Sequence, residues 1–278
     1  MNSFLLDKII DLALMEDSPH GDITSESIFE ENQVKKLIIR AEEEMVYCGN
    51  FVVSRLVRKV DQTIKVAFLT EDGTGISKNS IIMVLTGEIK KLLLMERPIL
   101  NFISRLSGIA TLTAEMVEII RKSNLPIKLL DTRKTTPGWR ILEKYAVRCG
   151  GGYNHRYNLS EGVLIKDNHK AAAGGVEKAI KKVREKVPHV FKIEVEVDNL
   201  EEFREALKEK PDIILLDNFS PEMVREAVKE KMEGIEIEVS GGITRDNLKE
   251  YLIPGVDYIS SGFLTYGAIW KKITAELE

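Results

Sequence analysis

Apolar positions along this chain recur with two periods, and the switch between them divides the sequence. Near the N-terminus Phe4, Leu5, Ile9, Leu12 and Ala13 fall at helical spacing, interrupted by Asp7, Lys8 and Asp11. That pattern predicts an amphipathic helix, not the unbroken apolar run of a secretory leader. Two-residue periodicity predicts strands over 36–41, 63–69 and 81–87, and helical periodicity returns over 49–60. These elements predict a small N-terminal α+β domain over 1–107. A long helical run over about 92–122, interrupted by Arg97-Pro98 and by Gly108, carries the chain into a second region.

From about Pro126 the pattern becomes short apolar runs that end in polar or glycine residues, most of them followed by a helical segment: 128–130, 163–166, 192–197, 213–216, 235–239 and 257–260. Alternation of this kind predicts parallel strands with crossover helices. The count is six, or seven if 146–149 is a strand, against eight in a complete barrel. The expected fold is therefore α/β, an irregular or incomplete (β/α) barrel over 108–265. Residues 266–278 read as a closing helix packed on the N-terminal domain.

Length and charge narrow the function. A chain of 278 residues with 44% hydrophobic content can bury a sizeable core. Its net charge of −4 argues against a nucleic-acid or membrane-surface binder, since neither polyanion attracts an acidic protein overall. No segment approaches the ~20 apolar residues of a membrane span. The only cysteines, Cys48 and Cys149, lie far apart in sequence and are expected to form neither a disulfide framework nor a metal cluster, which points to a reducing cytoplasm. The 30% charged content with only Gln33 and Gln62 as glutamines leans toward a heat-adapted source.

Against that acidic background, residues 131–170 hold eight Lys or Arg and four Asp or Glu. A local excess of positive charge suits an anionic small molecule. Arg133, Lys134 and Lys166 follow predicted strands, and barrels bind ligands at the C-terminal ends of strands. His155 and Arg156 follow three glycines, Gly150 to Gly152, that let backbone approach a ligand. The plainer reading, solvated helix faces, is assigned to Glu143, Lys144 and Arg148. His169 can equally cap the next helix, and His20 and His189 carry no chemistry.

In Ile193-Glu194-Val195-Glu196-Val197-Asp198 alternation sends the acids to one face, which in a barrel strand is the inside. Charge there needs a partner or a metal. Glu196 with Asp217, at the end of the next strand, can hold Mg²⁺ bridged to a diphosphate. The alternative is a salt bridge to Lys166 or Arg133, a structural role that suits Glu194 better. Ser240-Gly241-Gly242 and Ser260-Ser261-Gly262 end the last two strands, where barrels commonly bind phosphate.

These residues resemble the quinolinate phosphoribosyltransferase family. The marks run in order through nearly the whole chain: Glu16-Asp17 with His20-Gly21-Asp22-Ile23-Thr24, Arg105-Leu106-Ser107-Gly108-Ile109-Ala110-Thr111, Asp131-Thr132-Arg133-Lys134-Thr135, Asn154-His155-Arg156, Ile165-Lys166-Asp167-Asn168-His169 and Glu194-Val195-Glu196-Val197-Asp198. The resemblance implies a homodimer or higher homo-oligomer in which Arg105 enters the neighbouring active site. It implies that Arg133, His155, Arg156 and Lys166 bind the quinolinate carboxylates, with Thr132 also in contact with substrate. Lys134 and the two serine-glycine loops take the phosphates of phosphoribosyl diphosphate, and Glu196 and Asp217 hold the Mg²⁺ and ribose side. Trp139 and Lys170 depart from the family pattern, both outside the expected chemistry.

The implied reaction joins the pyridine nitrogen to the ribose anomeric carbon as diphosphate leaves, and carbon dioxide follows. The ribosylated ring nitrogen is itself the electron sink, so no organic cofactor is required and Lys166 forms no Schiff base. Three rivals use the same residues. A Schiff-base aldolase on Lys166 or Lys134 leaves Arg105, Arg133 and Arg156 without a role, and a non-catalytic pyridine or phosphate sensor leaves the pocket acids without one. A related group from molybdenum transport loci shares the barrel and differs in substrate.

Overall fold

The computed structural model describes residues 3–278. They form two compact units. The first takes the described residues up to Ala114 together with Thr136–Gly151 and Ala268–Glu278; the second takes Glu115–Thr135 and Gly152–Gly267.

The first unit opens with helices α1 (Ser3–Asp17) and α2 (Ile23–Ile28), the latter capped by Asp22, which accepts from the Thr24 and Ser25 amides. Strands β1 (Val34–Ala41) and β2 (Met45–Val46) follow, then α3 (Asn50–Val60), β3 (Lys65–Phe68), β4 (Gly75–Ile76), β5 (Ile81–Glu88) and α4 (Ile89–Lys122). Pro98 does not break α4. An interior proline costs about 3 kcal/mol, but Leu92, Met95, Ile99, Phe102, Ile103, Leu106 and Ile109 are all buried, each worth about 1.5–3 kcal/mol. Gly108 is also no interruption. A Cβ there would stand 2.2 Å from the Ile269 carbonyl oxygen, so glycine is what lets the C-terminal segment cross the helix.

Two expected elements differ. The segment 266–278 is no helix: after the short α10 (Phe263–Tyr266) the chain extends and ends in β12 (Ile273–Leu277). That strand pairs antiparallel with β1, completing the sheet β12-β1-β5-β3, with Leu37 opposite Leu277 and Ala41 opposite Ile273. Helical propensity over this stretch yields to the unpaired edge of β1, whose backbone groups β12 satisfies. The optional strand 146–149 is instead the last turn of α5 (Arg140–Cys149).

In the second unit β6 (Lys128–Leu130), β7 (Val163–Ile165), β8 (Ile193–Val197), β9 (Ile213–Asp217), β10 (Glu236–Ser240) and β11 (Tyr258–Ser260) form one wholly parallel sheet, in the order β6-β11-β10-β9-β8-β7. It is the six-stranded α/β architecture expected, with α6 (Asp167–Ala173), α7 (Val176–Lys186), α8 (Leu200–Glu209), α9 (Pro221–Lys229) and a 3-10 turn at Leu248–Tyr251 between strands. Ile193, Val195 and Val197 are buried toward the helices, with Ile180, Phe203 and Ala206 also in the core. Because residues paired across strands share a face, the register of Glu196 with Leu215, and of Leu215 with Glu238, puts Glu196, Glu238 and Asp217 on the opposite face.

Candidate active site

Parallel strands bring all their C-terminal ends to one side, and the loops that follow carry most of the candidates. After β6, Asp131 is fully buried, and it accepts from the His155 amide (2.9 Å) and from Asn154 Nδ2 (2.6 Å). This fixes the Asn154-His155-Arg156 loop against the end of β6. The Arg156 amide donates to His155 Nδ1 (2.8 Å), so in the neutral ring the proton sits on Nε2. Nε2 lies 3.2 Å from a Glu194 carboxylate oxygen and 3.7 Å from one of Glu238.

Glu238 was not singled out in the sequence, although Glu236-Ile237-Glu238-Val239 repeats the alternation around Glu194 and so signals an inward acid. Burial, then the nearby Glu194 charge, push its carboxyl up to about 8, while His155 acts in the opposite direction. Arg156 donates through a terminal nitrogen to the Gly162 carbonyl (2.8 Å), whereas its Nε is buried without a hydrogen-bond partner. Burial and the neighbouring Arg133 charge make Arg156 less basic, so two guanidinium groups share this corner. Two cations held together in this way favour an anion between them.

Lys166, at the end of β7, places Nζ 2.5 Å from a Glu196 carboxylate oxygen; the lysine is nearly half exposed and the glutamate almost sealed. The salt bridge weighed for Glu196 is therefore present. The Lys166 amide donates to His169 Nδ1 (2.9 Å), so His169 does cap α6. Asp217 ends β9 on the same face, accepting from Asn218 Nδ2 (2.7 Å). Two carboxylates at adjacent strand ends, one half-exposed, suit Mg²⁺, which takes one or two protein carboxylates and fills its shell with water and phosphate oxygens.

The two serine-glycine loops are tied together. Ser261 Oγ donates to the Ile243 carbonyl (2.6 Å), and the Asn218 amide donates to the Ser240 carbonyl (2.9 Å). Gly241 has φ +95, and a Cβ there would overlap Asn218; Gly242 has φ +61. Lys134 joins this group: a Cβ on Gly262 would come within 2.9 Å of its Cδ and 3.3 Å of Thr132 Oγ1, and Thr265 Oγ1 donates to the Lys134 carbonyl (2.6 Å). Thr132, Lys134 and the Ser260-Ser261-Gly262 loop thus form one surface.

Arg105 belongs to the first unit. Its guanidinium donates to Glu143 (2.7 Å) and to the Ala268 carbonyl (3.0 Å). Glu143 and Lys144, read as solvated, are fully buried. The error has a cause visible only in three dimensions, because Glu143 also receives the Thr136 amide (3.0 Å) and hydroxyl (2.8 Å), which replace water. Arg148 is exposed as read. Trp139 does not stand apart from the candidates: it stacks on Phe102 at 4.9 Å and lines a cavity of about 330 Å³ with Arg105, Thr136 and Trp270. Lys170, the other departure, is buried between Asp198 (2.9 Å) and Glu202 (2.5 Å).

A basic cluster, paired acids and glycine loops at the strand ends of a parallel α/β sheet fit an enzyme of anionic small molecules. The chain belongs to the quinolinate phosphoribosyl transferase family: the model of that family's N-terminal domain matches residues 22–107 and that of its C-terminal domain residues 109–274. It is 43% identical over 266 residues to a probable nicotinate-nucleotide pyrophosphorylase [carboxylating] of Bacillus subtilis, covering 96% of this chain and 91% of that one. A protein of the same description from Methanocaldococcus jannaschii is 43% identical over 279 residues, covering 98% and 96%. The solved nicotinate-nucleotide pyrophosphorylase of Francisella tularensis superposes with a TM-score of 0.94 at 38% identity, over 100% of this chain and 98% of that one.

Proposed function

We infer that this chain is a carboxylating nicotinate-nucleotide pyrophosphorylase, converting quinolinate and phosphoribosyl diphosphate to nicotinate mononucleotide, diphosphate and carbon dioxide in NAD biosynthesis. The observation that carries the reading is the family match across both domains of the chain. The residue roles follow as proposals. Arg133, Arg156 and His155 hold the quinolinate carboxylates, orienting the ring nitrogen toward the ribose. Lys134 and Thr132, with Ser240, Gly241, Gly242, Ser260, Ser261 and Gly262, receive the phosphates through hydroxyl, amide and ammonium donors.

Glu196 and Asp217 face the ribose, where fixed negative charge stabilises the positive charge that grows on the sugar as diphosphate departs. They would also hold Mg²⁺, which when bound neutralises part of the diphosphate charge. Lys166, already ion-paired with Glu196, contributes its charge to the 2-carboxylate until carbon dioxide leaves. Its amino group is held against the Glu196 carboxylate, which favours this role over that of a Schiff-base nucleophile. The protein acts in the cytoplasm as a homodimer or larger homo-oligomer, with Arg105 reaching the neighbouring subunit's site. Among the described residues no helix is long and apolar enough to cross a membrane.

The purified protein, given quinolinate, phosphoribosyl diphosphate and Mg²⁺, should form nicotinate mononucleotide and carbon dioxide in equal amounts, and nicotinate in place of quinolinate should give neither. Turnover of nicotinate, or of no pyridine at all, would overturn the assignment.

A further inference from the structure

Cys48 and Cys149 are separated by 100 residues in sequence, yet the fold brings them together: their Sγ atoms and a carboxylate oxygen of Asp72 all lie within 4.8 Å of one another. Distance along the chain, the ground for expecting neither a disulfide nor a metal cluster, is thus no measure of their distance in the fold. Cys48 lies in the buried loop before α3, its amide donating to Ser107 Oγ on α4 (3.1 Å). Cys149 is the last residue of α5 and is partly accessible. Both thiols are in the first unit and neither has a part in the chemistry described above.

The same three groups could be read as a soft-metal site, but Asp72 is already spoken for. One of its oxygens accepts the Gly49 (2.6 Å) and Asn50 (2.9 Å) amides, capping α3, and the other accepts the Tyr145 hydroxyl (2.9 Å). A carboxylate with three donors has little left to offer a cation. The thiols, by contrast, differ in the way a redox pair needs. The Cys48 thiol is held protonated by burial, and its hydrogen bond to Cys149, with another from Tyr145, pulls the Cys149 thiol down. The sulfur of the less buried residue is thus the better thiolate, and the sealed one waits beside it.

We propose that Cys48 and Cys149 form a reversible intramolecular disulfide, making this corner of the first unit an oxidation site for small disulfides of the glutathione class. The Cys149 thiolate attacks one sulfur of the small disulfide, forming a mixed disulfide and expelling one thiolate. Cys48 then loses its proton and attacks Cys149 Sγ, expelling the second thiolate. Two protein thiols are oxidised, one small disulfide is reduced to two thiols, and no other reactant enters. The bond fastens the loop that rests on α4, two residues from Arg105, to the end of α5, the helix that carries the Arg105 partner Glu143.

The test is incubation of the full-length native protein with oxidised glutathione, followed by non-reducing peptide mapping and thermal melting. The expected result is a linked pair of peptides containing Cys48 and Cys149, no retained glutathione, and a melting temperature raised by roughly 5–10 °C and restored by reductant, because a closed loop of this length restricts the unfolded chain. In Cys48→Ala the resolving sulfur is gone, so glutathione should stay on Cys149. Cys149→Ser should leave Cys48 unmodified. Two free thiols in the wild type, glutathione retained on Cys149, or disulfides only between separate chains would each overturn the proposal.

Discussion

Glu143 and Glu238 are both sealed from water, but their surroundings differ in one respect that matters. Glu143 receives Arg105 and two donors from Thr136, so its charge is matched inside the first unit. Glu238, in the sheet of the second unit, faces a second acid, Glu194, with His155 between them, and one of its oxygens lacks a hydrogen bond. A matched buried charge serves structure, whereas an under-matched one stores free energy that a ligand or proton can release. Glu143 therefore reads as the post that holds Arg105 in place, and Glu238 as a buried acid whose charge is opposed by burial and by Glu194 and favoured by His155.

The contrast breaks most visibly at the matched site. Removing one partner of a buried pair strands the other, so Glu143→Ala should lose about 3–5 kcal/mol and melt roughly 10 °C lower, as read by calorimetry. An unchanged melting temperature would mean that Arg105 finds another acceptor. At the strand ends the loss should fall on rate instead. Glu196→Gln keeps the shape beside Lys166 and removes the charge, and turnover of quinolinate should fall about 10²–10³-fold while the melting temperature moves little.

Glu238 should respond to pH in the opposite sense to an ordinary ion-paired acid. Its folded value, near 8, stands above the ordinary 4.5, so between those values the folded protein holds a proton that the unfolded chain has released. Stability contributed by this group is complete below about 4.5 and is lost as pH rises through about 8. Glu238→Gln should flatten that slope and, at pH 8.5, exceed the wild type by on the order of 1–3 kcal/mol in denaturant unfolding. A variant as pH-sensitive as the wild type would place the proton on another group. The smallest effect is expected on the surface: Arg204, half exposed between Glu226 and Glu230, should tolerate Arg204→Ala with no measurable change in melting.

Much of the second unit was legible because strand signals are local. Alternation around Glu194 and Glu196 marked an inward face before any fold was known, and polar or glycine residues after each apolar run marked the strand ends where Arg133, Lys134 and Lys166 stand. The first unit was less legible. Its helix α4 crosses Pro98 and Gly108 because packing outweighs propensity, and β12 forms because β1 offers it an edge.

The chain's own order of residues thus determined the period of each strand, the inward acids and the basic focus, since each depends on neighbours a few positions apart. Only the tertiary structure decided that Glu143 is buried under Arg105, that Gly262 packs against Lys134, and that Cys48 meets Cys149. Those pairs are separated by 38, 128 and 101 positions. Which residue satisfies a buried charge, or meets a thiol, depends on chain segments that become neighbours only when the core closes.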